Sequence, residues 1–423
     1  MNSRRLYRNL MLVVAAVVLT VVPASAQVNI QCPCDRNNDA DCSDDDTERN
    51  LAASLGVVCK HLTGGDGFAV MADGTPRYMF GFSDVTGVPA AQVMQDGLLA
   101  AEWPAPTIAV DQGKKFYLTL SNVGMVIRPD LFDPHSVHFH GFPQSSTIFD
   151  GLPESGIAIN QGASLTYFYE LVEPGTFLYH CHVEATEHMQ MGMLGNLYVR
   201  ASQSWLGYPG IPAGDQAECD APGDQYPVVP CGYAYNDQDG TTAFDREFPL
   251  QLGGWDPDFH DASWNVQPLP FALMWDRYPM INGRGYPDTI DPNPLPAPVE
   301  NGGIPSQQVS SLITATRGDK VLLRLSNLNV TEIHTLSSPS IPMEVVAIDA
   351  KELKADNGTK LHYFTNSVTL GGGMTTDVIL HTAGTCATTA PCEYYLYAAD
   401  VQFLTNYTEA ADLGGMMTKI VVN

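Results

Sequence analysis

The chain has 423 residues, 44% of them hydrophobic, and its formal net charge is −26 at pH 7. This length exceeds that of one ordinary domain, so two or three domains are expected. The plentiful aromatic and β-branched residues exclude a disordered chain. The strong negative charge argues against nucleic acid or an anionic membrane as a partner.

The first 26 residues have the pattern of an export signal. Arg4, Arg5 and Arg8 form a basic start, residues 10–22 are apolar, and Ala-Ser-Ala at 24–26 is typical of a cleavage site. The residues around the first two arginines also resemble a twin-arginine export signal. We therefore expect a periplasmic or extracellular protein with no membrane span in the mature chain, whose charge without these arginines is −29 (−26 − 3).

The nine cysteines divide into eight with close neighbours and one without. An exported chain meets an oxidising compartment, where cysteines normally pair. The eight with neighbours are Cys32, Cys34, Cys42, Cys59, Cys219, Cys231, Cys386 and Cys392. We expect up to four disulfides among them, with the pairing left open. Cys181 remains as a candidate metal-binding or reactive thiol.

The rest of the sequence predicts an all-β chain. Short alternating apolar and polar runs lie between Gly, Pro and Asn turns, with little helical periodicity. This pattern is typical of sandwich or barrel domains. An internal repeat is also present, because residues 112–122 are echoed by 317–327, and residues 177–179 by 395–397.

The repeat predicts two related domains, at 66–200 and 246–423. An Asp- and Cys-rich segment at 27–65 precedes them, and a Gly- and Pro-rich linker at 201–245 separates them. In this alignment, His180-Cys181-His182 of the first copy becomes Ala398-Ala399-Asp400 in the second. The chemistry of the first copy is therefore expected to be absent from the second copy or changed there.

Two short clusters in the first domain contain six of the eleven histidines. One cluster contains His135, His138 and His140, and the other contains His180, Cys181, His182, His188 and Met193. Because residues two apart on a strand point to the same face, His180 and His182 share a face while Cys181 points the other way. One strand can therefore serve two metal sites on its opposite sides.

The residue types in these clusters indicate copper. Two histidines and a cysteine thiolate with a weak axial methionine form the ligand set of a blue copper site. His135, Cys181, His188 and Met193 match this set. The four remaining imidazoles, of His138, His140, His180 and His182, form a second, all-nitrogen set suited to copper or zinc.

At these residues the chain resembles the multicopper oxidase family. The motifs are His135-x-x-His138-x-His140 and His180-Cys181-His182 followed by His188 and Met193, and residues 104–108 and 281–284 resemble strands of that family. The resemblance implies two tandem cupredoxin-like Greek-key domains, with type 1 copper in the first domain. It also implies type 2 copper at His138 and a type 3 pair at His140, His180 and His182.

The same resemblance implies an oxidoreductase. A small-molecule or metal-ion donor would give electrons to type 1 copper, and they would pass through Cys181 to His180 and His182. A polynuclear copper site would then reduce dioxygen. The domain order is similar to that of two-domain members of the family that assemble as trimers.

The sequence departs from the family pattern in two places. Five residues separate His182 from His188, where the family usually has three. A trinuclear cluster takes eight histidines in H-x-H pairs, and the second domain has no such pair. His334 and Asp400 are its candidate ligands for the second site.

Two other functions stay open. Copper-containing nitrite reductases also place type 1 copper in the first domain, and His334 resembles their second-domain active-site histidine, although His138 stands where they have an aspartate. The other alternative is a blue-copper electron carrier or copper-binding protein without catalysis, as the histidine-poor second domain allows.

A calcium site is a further candidate near the start of the mature chain. Asp35, Asn37, Asp39, Asp41 and Asp46 have the spacing of a calcium-binding loop. Ala40 replaces the usual central glycine of such a loop, and an acidic surface tied by disulfides is the alternative interpretation.

Overall fold

The computed structural model of the chain describes residues 28–215, 230–386, 391–406 and 413–423. The predicted export signal and Cys219 lie outside these residues. Within the described ranges, no helix combines the length and the apolar character needed to cross a membrane.

The first domain is a sandwich of two four-stranded sheets. Its strands are β1 Val57–Val70, β2 Pro76–Asp84, β3 Ala105–Asp111, β4 Lys115–Gly124, β5 His138–His140, β6 Ser164–Glu170, β7 Gly175–His180 and β8 Leu194–Arg200. The strand order is β2-β1-β4-β6 in one sheet and β3-β8-β7-β5 in the other. Alternate residues of β4, such as Phe116, Leu118 and Leu120, are buried between the sheets.

The second domain is a larger sandwich with the same character. Its strands, with the short pair that precedes them, are β9 Gly232–Tyr233, β10 Ala243–Phe244, β11 Arg246–Trp255, β12 Tyr278–Ile281, β13 Ile313–Ala315, β14 Lys320–Asn327, β15 His334–Ser337, β16 Met343–Ile348, β17 Lys351–Glu352, β18 Tyr363–Thr365, β19 Ser367–Leu370, β20 Met374–His381, β21 Cys392–Ala398 and β22 Met417–Val422. One sheet runs β12-β11-β14-β20-β16-β17, with β18 beside β16, and the other runs β13-β22-β21-β15-β19. The two sandwiches confirm the predicted all-β class with two tandem domains.

Helices in the described residues are few and short. They are α1 Asp46–Leu55, α2 Ala90–Asp96, α3 Ala185–Met191, α4 Gln203–Leu206 and α5 Pro257–Trp264, with 3₁₀ turns at Thr147–Phe149, Phe271–Leu273, Asp288–Ile290, Val299–Asn301 and Val401–Leu404. α1 begins after Asp45, whose side chain accepts hydrogen bonds from two backbone N–H groups of the first turn, and ends at Gly56 in the left-handed conformation.

The predicted domain boundaries differ from those of the structure. The first sheet begins at Val57, earlier than the predicted start at residue 66, because β1 pairs with β4 from Val57 to Gly65. The predicted linker at 201–245 contains α4, β9 and β10 in its described part. Tyr235 of this segment donates a hydrogen bond of 2.6 Å to Asp377 in the second domain. Its apolar and aromatic residues are therefore part of the packing.

Most of the described cysteines form disulfides. Disulfides join Cys32 to Cys59, Cys34 to Cys42 and Cys386 to Cys392. Cys231 is also in a disulfide. Of the described cysteines, Cys181 alone is free, and it is buried.

The two domains meet through buried polar contacts around Arg324. Its guanidinium donates to Glu247 Oε2 at 2.9 Å and to Thr176 Oγ1 at 3.0 Å. Asp377 accepts from Thr176 at 2.5 Å, and its own pKa is raised by burial. Thr176 belongs to β7, so this network ties the strand ahead of Cys181 to the second domain.

Candidate metal centres

The first candidate centre is built from three buried side chains. The Sγ atom of Cys181 lies 3.1 Å from Nδ1 of His188 and 3.9 Å from Nδ1 of His135. One ligand atom of each residue lies within 4.8 Å of the others. All three side chains are fully buried. The structure therefore places the predicted ligands His135, Cys181 and His188 side by side.

Met193 lies next to this set, just before the neighbouring strand. It directly precedes β8, and the Cys181 N–H donates to its carbonyl at 3.1 Å. A Cβ atom added at Gly64 of β1 would lie 2.8 Å from the His135 ring and 3.3 Å from the Met193 methyl carbon. Only glycine allows β1 to approach so closely, so Gly64 belongs to the centre although nothing in the sequence pointed to it.

The environment of Cys181 favours its thiolate. Burial opposes ionisation, but the imidazoles of His188 and His135 hold the thiol pKa well below its ordinary value. The Ser136 N–H also points to Sγ at 3.5 Å. Because the thiolate is the form that binds metal, the site is prepared for a soft metal ion.

The altered loop before His188 forms a helix. α3 begins after Glu184, and the His188 N–H donates to the Glu184 carbonyl at 3.1 Å. The second domain holds this helix, since Gln190 donates to Asp276 at 3.0 Å and its carbonyl lies 3.0 Å from His260 Nε2. The longer loop therefore keeps His188 in place by packing on the second domain.

The second candidate centre lies across the strand from Cys181. His138 of β5 is paired with His180 of β7, and their ring centres are 5.2 Å apart. Ligand atoms of His138, His140 and His180 lie within 4.8 Å of one another. The ring of His182 is 5.1 Å from that of His138. The predicted four-histidine set is therefore gathered at one place.

Hydrogen bonds orient two of these rings. Nδ1 of His138 lies 2.6 Å from the carbonyl oxygen of Asp150, and Nδ1 of His180 lies 2.8 Å from that of Cys181. A ring that donates through Nδ1 keeps the Nε2 lone pair for a metal ion. Burial lowers the pKa of His180 to about 3 and also lowers those of His138 and His140. These imidazoles are therefore neutral near pH 7.

A cavity of about 430 Å³ opens in front of these histidines. The first domain contributes Ala185 and Met189 of α3 together with His140, His180 and His182, and the second domain contributes residues 328–333 and 372–373. A Cβ atom at Gly373 would lie only 2.5 Å from His140 Nε2. The second domain of the same chain therefore closes this imidazole pocket, which the sequence did not predict because the contact joins residues far apart in the chain.

The structure gives the register of the internal repeat. Asn122 donates to the carbonyls of Asp133 and Ile159, at 2.8 and 2.9 Å. In the second domain, Asn327 donates in the same way to the carbonyls of Glu332 and Leu370, at 3.4 and 2.8 Å. His135 pairs with Ile159 and His334 with Leu370, so His334 is the counterpart of His135.

This register corrects the sequence alignment of the repeat by one residue. The Cys181 N–H donates to Met193, and the Ala398 N–H donates to Met416 at 2.9 Å. Ala398, rather than Ala399, therefore corresponds to Cys181, and Met416 corresponds to Met193. The alignment of identical letters misplaced the strand because cross-strand hydrogen bonds, not residue identity, set its register.

Neither second-domain candidate ligand reaches the imidazole pocket in this chain. His334 is fully buried against Phe403, with ring centres 4.8 Å apart. Its Nε2 accepts from Asn329 Nδ2 at 3.4 Å, and Asn329 itself lines the pocket. Asp400 is exposed and caps the turn Val401–Leu404 by accepting from the Gln402 N–H.

The acidic loop near the start of the mature chain uses its carboxylates for backbone contacts. Asp35 accepts from the N–H groups of residues 37, 38 and 40, and Asp39 from that of residue 41. Among the residues described, its carboxylates are not in any group of three ligand atoms that converge within 4.8 Å. Ala40 has a φ of 64°, the left-handed conformation that glycine usually adopts at this position.

A family model described as multicopper oxidase matches residues 86–204, which include both histidine clusters. Laccase-13 of Arabidopsis thaliana is 26% identical over 308 residues, covering 70% of this chain and 41% of that protein. Multicopper oxidase VdtB of Byssochlamys spectabilis is 29% identical over 123 residues, covering 29% of this chain and 17% of its own length. The chain spans less than half the length of these curated relatives.

Solved structures share the fold over most of the chain. A blue copper oxidase from Nitrosomonas europaea has a TM-score of 0.57 and 21% identity, covering 86% of this chain and 85% of that one. A copper nitrite reductase from Nitrosomonas europaea has a TM-score of 0.52 and 16% identity, covering 86% of this chain and 93% of its own. These likenesses show the tandem cupredoxin-like fold.

Proposed function

We propose that the chain is an exported copper-dependent oxidoreductase of the multicopper oxidase family, whose model matches the residues of both histidine clusters. It takes single electrons from a reducing substrate at His135, Cys181, His188 and Met193, and delivers them to dioxygen at the imidazole pocket. Copper, when bound at both places, supplies the one-electron redox chemistry that these side chains lack.

The observation that carries the proposal is the position of Cys181 between two centres. Its sulfur faces the buried thiolate set, while the adjacent His180 and His182 face the imidazole pocket. A path of a few covalent bonds therefore joins the two ligand sets. A protein that only stored copper would have no use for this connection.

The residues present fit copper at the thiolate set. The donors are one soft thiolate, two imidazoles and a thioether, all fully buried. Nε2 of His188 lies 3.8 Å from Asp133 Oδ2, and this neighbouring imidazole lowers the carboxyl pKa of Asp133. Burial excludes water from the thiolate, and Asp133 orients the imidazole from its outer side.

The donor, location and assembly are part of the proposal. We propose a small molecule or a metal ion as the donor, because the acidic surface favours cations over anions near the protein. The export pattern in residues 1–26 supports a periplasmic or extracellular location. The domain order supports a homotrimer.

The test is dioxygen uptake by the copper-loaded protein with a phenolic donor or ferrous ion. Cys181→Ser is expected to lower the uptake rate by at least about a thousandfold, since the thiolate ligand is lost. Ala398→Ser, at the corresponding strand position of the second domain, is the matched control and should keep the rate. Copper-loaded wild-type protein with no uptake from any of these donors would contradict the proposal.

A nitrite-reductase-like activity is the second candidate, supported by the absence of any H-x-H pair in the second domain. The same protein preparation would then form nitric oxide from nitrite with a reduced donor under anaerobic conditions. A protein that is reduced and reoxidised at its blue site but turns over neither dioxygen nor nitrite would be an electron carrier.

Calcium binding by the acidic loop stays a prediction. If Asp35, Asn37, Asp39, Asp41 and Asp46 hold Ca²⁺, millimolar calcium should raise the melting temperature of the chain, since a ligand that binds the folded state stabilises it. Asp39→Asn should remove that rise, whereas Asp96→Asn on α2 should not.

A further inference from the structure

The number of histidines limits how many copper ions the imidazole pocket can hold. All eleven lie in the described residues. His135 and His188 belong to the thiolate set, and four more line or border the imidazole pocket. The other five are His61, His260, His334, His362 and His381. A trinuclear copper cluster of the family type takes eight imidazoles, so four of these five would have to join the pocket.

Three of the five have inward-facing roles. Nε2 of His61 lies 2.8 Å from Ser121 Oγ inside the first domain. His260 is held between two backbone carbonyls, at 2.6 and 3.0 Å. His334 lies behind Asn329. All three are at most 1% exposed, so none can reach a cluster in this chain or in a neighbouring copy.

The last two histidines form ion pairs on another part of the second domain. His381 donates to Glu344 Oε2 at 2.5 Å. His362 lies 3.6 Å from the other oxygen of Glu344 and 3.7 Å from Glu352. They are not among the residues that line the imidazole pocket. The second domain of this chain, or of a neighbouring copy, therefore cannot supply the four further imidazoles that such a cluster takes.

The imidazoles of the pocket converge as the ligands of one ion would. His138, His140 and His180 bring three ligand atoms within 4.8 Å of one another, and His182 does not join that group. The opposite wall is formed by the second domain of the same chain, with Gly373 against His140. The wall carries no imidazole, and among the lining residues Glu332 is the single acidic group.

The backbone of Glu332 is fixed at both ends. Its N–H donates to Asn329 Oδ1 at 2.8 Å, and its carbonyl accepts from Asn327 at 3.4 Å. In the repeat Glu332 corresponds to Asp133, the carboxylate beside His188 in the first domain. Both domains thus place a carboxylate two residues before the corresponding histidine, His135 in the first domain and His334 in the second.

We propose that the imidazole pocket is a mononuclear copper site, held by His138, His140 and His180 and faced by Glu332, so that each chain binds two copper ions. This inference rests on the proposed copper chemistry and replaces the polynuclear cluster with a single ion. An ion with three imidazoles keeps an open position towards the cavity, which suits a small ligand such as dioxygen or a small anion.

Copper stoichiometry combined with spin counting tests the proposal. We expect two copper ions per chain by mass spectrometry of the metal, and an electron paramagnetic resonance signal that integrates to the same number. A type 1 and a type 2 component should each account for half of the spins. A coupled copper pair is silent in this measurement, so three or four copper ions per chain with only half of them detected would overturn the proposal.

Variants assign the second ion to its residues. The double variant His138→Ala, His140→Ala should lose one copper ion and the type 2 signal while the blue signal stays. His61→Asn changes a buried histidine outside both sets and is the control for misfolding. If the double variant loses both signals while His61→Asn keeps both, the assignment of the second ion to His138 and His140 is contradicted. The second ion should also bind at protein concentrations where the chain is monomeric, and a requirement for the oligomer would contradict closure within one chain.

The role of Glu332 is tested with azide as a probe of the open position. Removing a carboxylate charge that faces the ion should tighten azide binding by about three- to tenfold in Glu332→Gln, and should shift the type 2 hyperfine splitting. Asp96→Asn removes a charge of the same sign on exposed α2 and should change neither quantity. An unchanged azide affinity in Glu332→Gln would remove Glu332 from the site.

These outcomes are separable from failure of the proposed function. Two fully detected copper ions without dioxygen uptake would leave the mononuclear site standing and reject the oxidase. Dioxygen uptake by a protein with four copper ions per chain would support the oxidase and reject the mononuclear site.

Discussion

The two domains share the backbone arrangement around the thiolate set of the first domain, but they carry different side chains there. In the first domain the position holds His135, Cys181, His188 and Met193. In the second domain the register gives His334, Ala398 and Met416, and the ring of Phe403 packs on His334 at 4.8 Å. In the first domain His188 packs on His135 at 5.3 Å. The sandwich therefore folds with either a metal-ligand set or an apolar filling.

This comparison separates stability from chemistry. Asn122 donates hydrogen bonds to two backbone carbonyls at 2.8 and 2.9 Å, and Asn327 repeats them at 3.4 and 2.8 Å. What differs is the thiolate and one imidazole, which become a methyl group and a phenyl ring. In the second domain His334 and Met416 pack in the core. The cysteine and the second histidine of the first-domain set are replaced there by Ala398 and Phe403.

The largest effect is expected from exchanging the two corresponding histidines for alanine. His135→Ala should abolish the visible absorption of the thiolate–copper bond, because a ligand is lost. His334→Ala should keep that absorption and lower the free energy of unfolding by about 2–4 kcal/mol, since it leaves a cavity in the core. Absorption spectra and urea unfolding of both variants test this. Loss of the blue absorption in His334→Ala would break the distinction between the domains.

The next effect concerns the buried charge between the domains. Arg324 of β14 stands at the repeat position of Thr119 in β4 and is ion-paired with Glu247 at 2.9 Å. Arg324→Ala should lower the free energy of unfolding by about 3–5 kcal/mol, because it leaves buried carboxylates without a partner. Thr119→Ala should cost about 1 kcal/mol, the contribution of one hydrogen bond. Similar losses in both variants would contradict this assignment.

A smaller effect is expected at the two methionines. Met193→Leu should keep copper but raise the reduction potential of the blue site, since a weak axial ligand is removed. Met416→Leu should leave the potential unchanged and alter stability by less than about 1.5 kcal/mol, because volume is conserved. Spectroelectrochemical titration measures both variants. An equal shift in both would mean that the second domain acts on the copper potential.

The smallest effect is a pH dependence from the ion pairs of the second domain. The carboxylates of Glu344 and Glu352, 3.6 and 3.7 Å from the ring, raise the pKa of His362 to about 9. Because the folded-state pKa is raised, the stabilisation is complete below about pH 6.5 and is lost as the pH rises through 9. His362→Gln should remove this part of the dependence, about 0.2–1 kcal/mol for a pair near the surface.

Urea unfolding at several values between pH 6 and pH 10 would measure this difference. His381→Gln is a useful comparison, since that residue also contacts Glu344. A wild-type chain whose stability is flat across this interval would show that the pairs contribute nothing measurable.

The sequence by itself determined the fold class and predicted both candidate ligand sets. Strand alternation puts Cys181 on one face and His180 and His182 on the other, and this follows from local geometry alone. The free state of Cys181 among paired cysteines followed from counting neighbours. These features depend on residues close together in the chain, so no knowledge of packing was needed to find them.

Only the tertiary structure decided what faces the imidazole pocket and how the two repeats align. Residue identity aligns Asp400 with His182, but the strand register places Ala399 there and leaves Asp400 exposed. Glu332 and Gly373 reach the pocket from more than a hundred residues away. Such contacts depend on register and domain packing, which are set by cross-strand hydrogen bonds and buried surfaces rather than by any local pattern.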